Sequence, residues 1–308
     1  MDPTKFTIRR SAISPANAIF IIDCLNERDL QTGRSRLQNL HDLLLSRDPE
    51  KFDDDKNFIH RFEANSASEF AECFEAIMTA CTLGIRPILF IDAHGHPQLG
   101  LGMPSQELVS WNTLLELLEG IVEKTAGELT VIVAACHSMK AVESLRPNGR
   151  LPFSFYYGYP SNVMAGVVEA ETELIYKSLF NDGGKSIMST THFELECWSE
   201  YDHVQDILAT ALLMAKAPSI VAEMIPQLSR ANMRTAFDEV VAKTGTPQSG
   251  SRKKLNQLLN SGQHAIRLVE DMMHDTPRRD RVIQDIKSYI QETPLPPVPA
   301  LKPSSTKF

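Results

Sequence analysis

The chain has 308 residues, 43% of them hydrophobic and 23% charged, which suits one large α/β domain with an appendage, or two medium domains. Its 39 acidic and 31 basic side chains give a formal net charge of −8, which repels phosphate backbones and argues against nucleic acid as a main partner, though not against a local basic pocket for a small nucleotide. The apolar runs are strand-length and Met1 to Asn17 is polar, so neither a membrane span nor a secretion signal is expected, and the expected location is cytoplasmic.

Ala18 to Asp23 reads as a first strand, followed by a polar stretch from Asn26 to Arg36. Leu37, Leu40 and Leu44 then recur at helical spacing, and Asp48 to Asn57 reads as a charged loop. Phe58 to Glu63 alternates like a second strand. Ser66 and Glu69 form a capping box, opening a helix with an apolar face of Phe70, Cys73, Phe74, Ile77 and Cys81 that Gly84 ends. Pro87 to Asp92 is a continuous apolar strand of the type buried on both faces of a parallel sheet. A helix over Leu114 to Val122, a strand over Leu129 to Ala134, an aromatic-rich strand over Phe153 to Tyr159 and a helix over Gly166 to Phe180 complete the alternation. Strands alternating with helices imply right-handed crossovers and a mainly parallel sheet covered on both sides. Beyond Tyr201 the patterns are helical to about Gln291, with a break over Thr244 to Arg252, and the Pro-rich end is expected to be disordered. The expected division is 1–200, a helical module over 201–292 and a tail over 293–308.

Two short motifs follow the third and fourth of these strands: Asp92-Ala-His94-Gly95-His96 and Ala134-Ala135-Cys136-His137-Ser138. Catalytic groups of open α/β sheets gather at the carboxyl ends of strands, so neighbouring strands ending in histidine and cysteine bring the two together. An imidazole beside a thiol takes its proton and later returns it to a leaving amine. Gly95 leaves its own N–H open to a substrate carbonyl, and that N–H with the Cys136 N–H would form an oxyanion hole, typically worth about 3–4 kcal/mol in the transition state.

These motifs resemble those of the caspase-like cysteine peptidases, which include caspases, metacaspases and bacterial CHAT-type peptidases. Ala135-Cys136 matches the caspase Ala-Cys pair and Cys136-His137-Ser138 the metacaspase run. The family signature puts the histidine about 50 residues before the cysteine; here the separation is 42 positions, 136 minus 94. Pro87 to Gly95, Leu108-Val-Ser-Trp111, Val133 to His137, and Tyr157-Gly-Tyr-Pro160 leading to Ala165-Gly166 follow the order of bacterial members. The resemblance covers about residues 18–180. It implies a caspase–hemoglobinase-like three-layer α/β sandwich with a helical C-terminal module, and a thiol endopeptidase with Cys136 as nucleophile, His94 as base and no cofactor. It also implies a regulated effector in bacterial stress, cell-death or antiviral defence, switched by a partner protein or a small anionic signal. Metacaspases carry an acid two residues before the cysteine, where this chain has Ala134.

Other residues have two readings. Asp92 orients His94 or caps its strand, and Trp111 lines the cleft or packs at a helix start. Around the first strand end, Asp23, Glu27 and Asp29 offer acids that would select a basic P1 residue, and Arg34 and Arg36 bases that would select an acidic one, with Asp23 and a basic P1 preferred. His94, His96, Cys136 and His137 could instead hold a metal for hydrolysis, and a non-catalytic scaffold is a third possibility. Gly183-Gly-Lys185-Ser186 lacks the first glycine of a phosphate loop and reads as a turn. Arg252-Lys-Lys254 and Arg278-Arg279 with Arg281 are solvated helix ends or an anion site. Five cysteines at irregular spacing, with no C-x-x-C pair, argue against a disulfide framework and a structural zinc site, and Cys24, Cys73, Cys81 and Cys197 read as structural.

Overall fold

The computed structural model describes residues 16–47, 49–50, 58–145, 149–182, 194–217 and 262–292, with a few isolated positions between 223 and 239. Most of the charged loop at 48–57, the turn at 183–186, the break at 244–252, the cluster Arg252-Lys-Lys254 and the tail at 293–308 lie outside them.

Nine strands and eight helices are described. They run β1 (Ala18–Asp23), α1 (Thr32–Arg47), β2 (Ile59–Glu63), α2 (Ala67–Thr82), β3 (Pro87–Asp92), β4 (His94–His96), β5 (Gly100–Gly102) and β6 (Leu108–Val109). They continue with α3 (Trp111–Thr125), β7 (Thr130–Ala134), α4 (Lys140–Glu143), β8 (Phe155–Gly158), α5 (Ala165–Asp182), β9 (Glu196–Ser199), α6 (Glu200–Lys216), α7 (Gln263–Met272) and α8 (Pro277–Glu292).

A six-stranded sheet has the order β2-β1-β3-β7-β8-β9, parallel throughout except for the antiparallel edge strand β9. β1, β3 and β7 are buried along their whole length, as their unbroken apolar runs require. Strand parity sorts their side chains. Phe20, Ile22, Leu89, Ile91, Val131 and Val133 face one core shared with α2 and α3. Ile19, Ile21, Ile88, Phe90 and Ile132 face a second core shared with Leu40 and Leu44 of α1 and Ile175 and Tyr176 of α5. A fully buried side chain of this size contributes roughly 1.5–3 kcal/mol, so the two layers together fix the fold class: an α/β sheet flanked by helices.

The α2 face is the one its sequence pattern marks, with Phe70, Cys73, Phe74, Ile77 and Cys81 buried. Ser66 Oγ accepts from the Glu69 N–H, but Glu69 returns its carboxylate to the backbone and side-chain nitrogens of Asn65 rather than to Ser66. α1, the three strands β4, β5 and β6, and β9 differ from the sequence reading. α1 begins at Thr32, inside the polar stretch, because that stretch carries the side chains that hold the helix to the strand ends. β4, β5 and β6 make a separate three-stranded antiparallel sheet too short to leave a periodic signal. β9 pairs at the edge through a four-residue segment.

The order of strand addition reverses at β1, since the chain passes from β1 out to β2 and returns to β3 on the other side, all three strands running parallel. The crevice between the carboxyl ends of β1 and β3 is therefore the topological switch point, where open α/β sheets take their ligands. Buried polar groups tie it together. Asp92, fully buried at the end of β3, accepts at Oδ1 from Thr32 Oγ1 (2.6 Å) and from Arg36 Nη2 (2.6 Å), and at Oδ2 from Arg36 Nε (3.3 Å). Arg36 Nη1 donates to Thr172 Oγ1 on α5 (2.6 Å), and the guanidinium stacks over Phe90 at 4.7 Å.

The chain divides into two compact units: one of Arg10–Asp202 with Met272–Thr276, the other of Met1–Arg9, His203–Asp271 and Pro277–Phe308. In the second unit, Lys216 of α6 donates to the Tyr289 carbonyl of α8 (3.3 Å) and lies 4.0 Å above the Tyr289 ring. Of the basic cluster on α8, Arg278 is buried and Arg281 exposed. Among the described residues no helix is long and apolar enough to cross a membrane.

Breaking a buried ion pair by removing one partner leaves the other charge unpaired, at a cost of about 3–5 kcal/mol. Asp92→Ala is therefore expected to lower the unfolding free energy measured by urea titration by that amount, and Asp92→Ala with Arg36→Met by less than the sum of the single changes. A loss below about 1 kcal/mol for Asp92→Ala would contradict the assignment.

Candidate active site

β3 and β7 are parallel neighbours with Asp92 opposite Ala134. His94 and Cys136 each lie two residues past that register pair, just beyond the ends of strands spaced about 4.8 Å apart. After Asp92 the chain leaves the large sheet and His94 opens the small one, opposite Gly102. Gly95 then lies directly against the backbone of Cys136: a Cβ on Gly95 would overlap the Cys136 carbonyl oxygen and stand 2.8 Å from its carbon. Glycine is required here for backbone-to-backbone approach, a stronger constraint than leaving room for a substrate.

The turn after β7 is held from several sides. His137 adopts the left-handed conformation at φ 57°, which typically costs about 1–3 kcal/mol in a residue with a side chain and persists only where neighbours enforce it. Its N–H donates to the Ser161 carbonyl (3.0 Å), and its Nε2 pairs with Asn162 Oδ1 (2.8 Å). Ser138 is buried. Its Oγ donates to the Val133 carbonyl and accepts from the Tyr159 N–H, while its own carbonyl accepts from Tyr156 OH.

Cys136 is half-buried. Its thiol donates to the Val163 carbonyl (3.6 Å), and the Val163 N–H donates back to Sγ (3.4 Å). No hydrogen bond joins Sγ to His94 in this state. The Cys136 N–H has no acceptor among the described residues, as an oxyanion donor requires. The other thiols contrast with it. Burial pushes Cys73 and Cys81 up to about 11, and burial with the nearby Asp23 pushes Cys24 higher still. Cys197 is exposed on β9.

His94 is exposed, and its Nε2 lies 3.0 Å from Asp29 Oδ2. Asp29 sits in the loop after β1, so this contact spans the switch point. Partial burial pushes the Asp29 carboxyl up. Hydrogen bonds from His94 and Asn26, with the electrostatic attraction of His94, outweigh it and hold the group below its ordinary value.

The remaining candidates fall elsewhere. Asp92 is taken by Thr32 and Arg36, so it does not orient His94. Asp23 is buried with Oδ1 accepting from the Leu25 N–H and Oδ2 from Arg61 Nε and Nη2, so its charge is already paired within the chain. Arg34 is exposed on α1, 3.5 Å from Glu63. Trp111 is only 6% exposed and packs in the core with α2 and β3. His96 Nδ1 accepts from the Gln98 and Leu99 N–H groups, closing the β4–β5 turn. Among the described residues no three His, Cys, Asp or Glu side chains gather to hold a metal ion.

Sequence reasoning placed Asp29 in a substrate pocket and weighed only Asp92 as the orienter of His94. Strand parity pointed to Asp92, whereas the contact that forms comes from a loop 65 positions away. The part played by Val163 is through its backbone, which no residue type advertises.

Gly95→Ala forces the two turns apart, and no flexible side chain can absorb the overlap. It is expected to cost about 1–3 kcal/mol in thermal or denaturant unfolding and to slow Cys136 chemistry about 10²-fold. Wild-type rates in Gly95→Ala would show that the close approach is not needed.

No protein-family model matches the sequence and no curated protein matches it, so the functional reading rests on the motif resemblance and on this geometry.

Proposed function

We propose that the chain is a cysteine endopeptidase of the caspase-like kind, built on a caspase–hemoglobinase-like three-layer sandwich. The observation that carries this reading is the packing of the Gly95 backbone on that of Cys136 at the ends of adjacent parallel strands. It joins the His-Gly and Ala-Cys motifs in one site.

In the reaction, His94 takes the thiol proton and the Cys136 sulfur attacks the scissile carbonyl. The amides of Cys136 and Gly95 receive the oxyanion. The intermediate collapses as His94 gives its proton to the leaving amine, and water attacks the resulting thioester to return the free enzyme. The Sγ bonds to Val163 describe a resting thiol, and catalytic contacts of this type often tighten only when substrate is bound. The metal-dependent alternative loses support because His96 and His137 are each engaged by neighbouring loop groups.

Substrate choice rests on other groups than Asp23, which Arg61 neutralises. A cleavage profile on a random peptide library gives the P1 residue directly.

Because nucleophile and base act as a unit, Cys136→Ala and His94→Ala should each remove cleavage of that library, by at least about 10³-fold, with folding intact. His96→Ala and His137→Ala should cost less. Cleavage should survive EDTA and stop with iodoacetamide. Full activity in Cys136→Ala, or loss of activity with EDTA alone, would contradict the proposal.

A further inference from the structure

A histidine base needs one ring nitrogen free to accept a proton, and the partner of the other nitrogen decides which it is. Resting on the peptidase reading, we propose that Asp29 is a positioning residue: its carboxylate holds the Nε2–H tautomer of His94 and reserves Nδ1 for the Cys136 proton.

An ionised carboxylate only accepts hydrogen bonds. With Asp29 Oδ2 at 3.0 Å from His94 Nε2, the proton between them therefore belongs to the imidazole. Asp29 stays ionised at neutral pH, because the hydrogen bonds and charge that hold its carboxyl down outweigh the burial that pushes it up.

The carboxylate is itself held in place. Oδ2 also accepts from the Asn26 N–H (2.9 Å), and the Asp29 N–H donates to the Asn26 carbonyl (3.0 Å). Gln31 Nε2 donates to the carbonyls of Asn26 (2.7 Å) and Asp29 (3.2 Å), closing the loop on itself. Both ends of the loop are moored to strand ends: the Leu25 N–H to Asp23 Oδ1 (3.1 Å), and Thr32 Oγ1 to Asp92 Oδ1. Asp92 lies two residues before His94, so the strand carrying the base also anchors the loop carrying its orienter. The two strand-end carboxylates do not compete, since Asp23 and Asp92 are paired with Arg61 and Arg36.

The test reads the tautomer directly. In full-length protein with 15N-labelled histidine, the His94 resonances, assigned by their loss in His94→Ala, should report Nε2–H and an unprotonated Nδ1 near neutral pH. Asp29→Asn can present its amide N–H to Nε2, and should switch the ring to Nδ1–H. Its kcat on library-selected peptide should fall about 10²–10⁴-fold with KM within a few-fold, and iodoacetamide labelling of Cys136 should slow. Asp29→Ala should give a mixture of tautomers and an intermediate loss. Thermal unfolding of both variants should stay near wild type, because Asp29 lies on a surface loop. An unchanged tautomer in Asp29→Asn and Asp29→Ala, or wild-type kcat in Asp29→Asn, would overturn the proposal. A tautomer switch in a protein that cleaves no peptide would support the positioning role and count against the peptidase reading alone.

Discussion

Asp92 is the constraint on which the site depends. It is fully buried at the end of β3, and a carboxylate cannot stay ionised there without partners of good geometry. Arg36 and Thr32 supply them, which draws the start of α1 down onto the strand end and fixes where the preceding loop must finish. Arg36 carries the tie on to Thr172, so helices α1 and α5 on one face of the sheet are locked to the strand that leads into His94. Asp23 does the same for the other end of that loop through Leu25 and Arg61. Gly33 packs so closely on the Asp23 carboxylate that a Cβ would overlap it. The acids at the strand ends thus build the frame of the crevice.

The second half of the site is held by the chain after β8. Residues 159–163 wrap the turn that carries Cys136, meeting it at the amides of His137, Ser138's hydroxyl, the Met139 N–H and the sulfur. These bonds offset the strained backbone of His137 and leave the thiol half-buried against a backbone amide and carbonyl. The loop after β1, through Asp29, and the loop after β8, through Val163, thus flank the Gly95–Cys136 contact. The division of labour follows from topology: four parallel strands side by side, β1, β3, β7 and β8, supply four loops at one end.

The central strands were legible in the sequence because burial on both faces demands unbroken apolar runs, and β1 and β3 begin and end where those runs do. The buried face of α2 was legible for the complementary reason: one apolar stripe at helical spacing. The small sheet was not, since two or three residues per strand carry no period, and its stability comes from pairing. The start of α1 was hidden because Thr32 and Arg36 look like loop residues until their partner, 56–60 positions away, is known. His94 and Cys136 were singled out through motif and strand placement. Their supports were not, because Asp29, Val163 and Asn162 act through contacts between loops that only the folded chain brings together. Asp23 failed as a specificity residue for the same reason. An acid at a strand end invites a reading as a pocket, and only the fold reveals that Arg61 already fills its coordination.

The central claim is that one thiol of five is activated by one histidine. Its most direct test is mass mapping of the wild-type chain after brief exposure to a peptidyl electrophile carrying the P1 residue found in the library profile. The account predicts a single adduct, on Cys136, that disappears in His94→Ala, while Cys24, Cys73 and Cys81 stay unmodified in their buried sites. Labelling that favours the exposed Cys197, or labelling of Cys136 that is unaffected by His94→Ala, would contradict it.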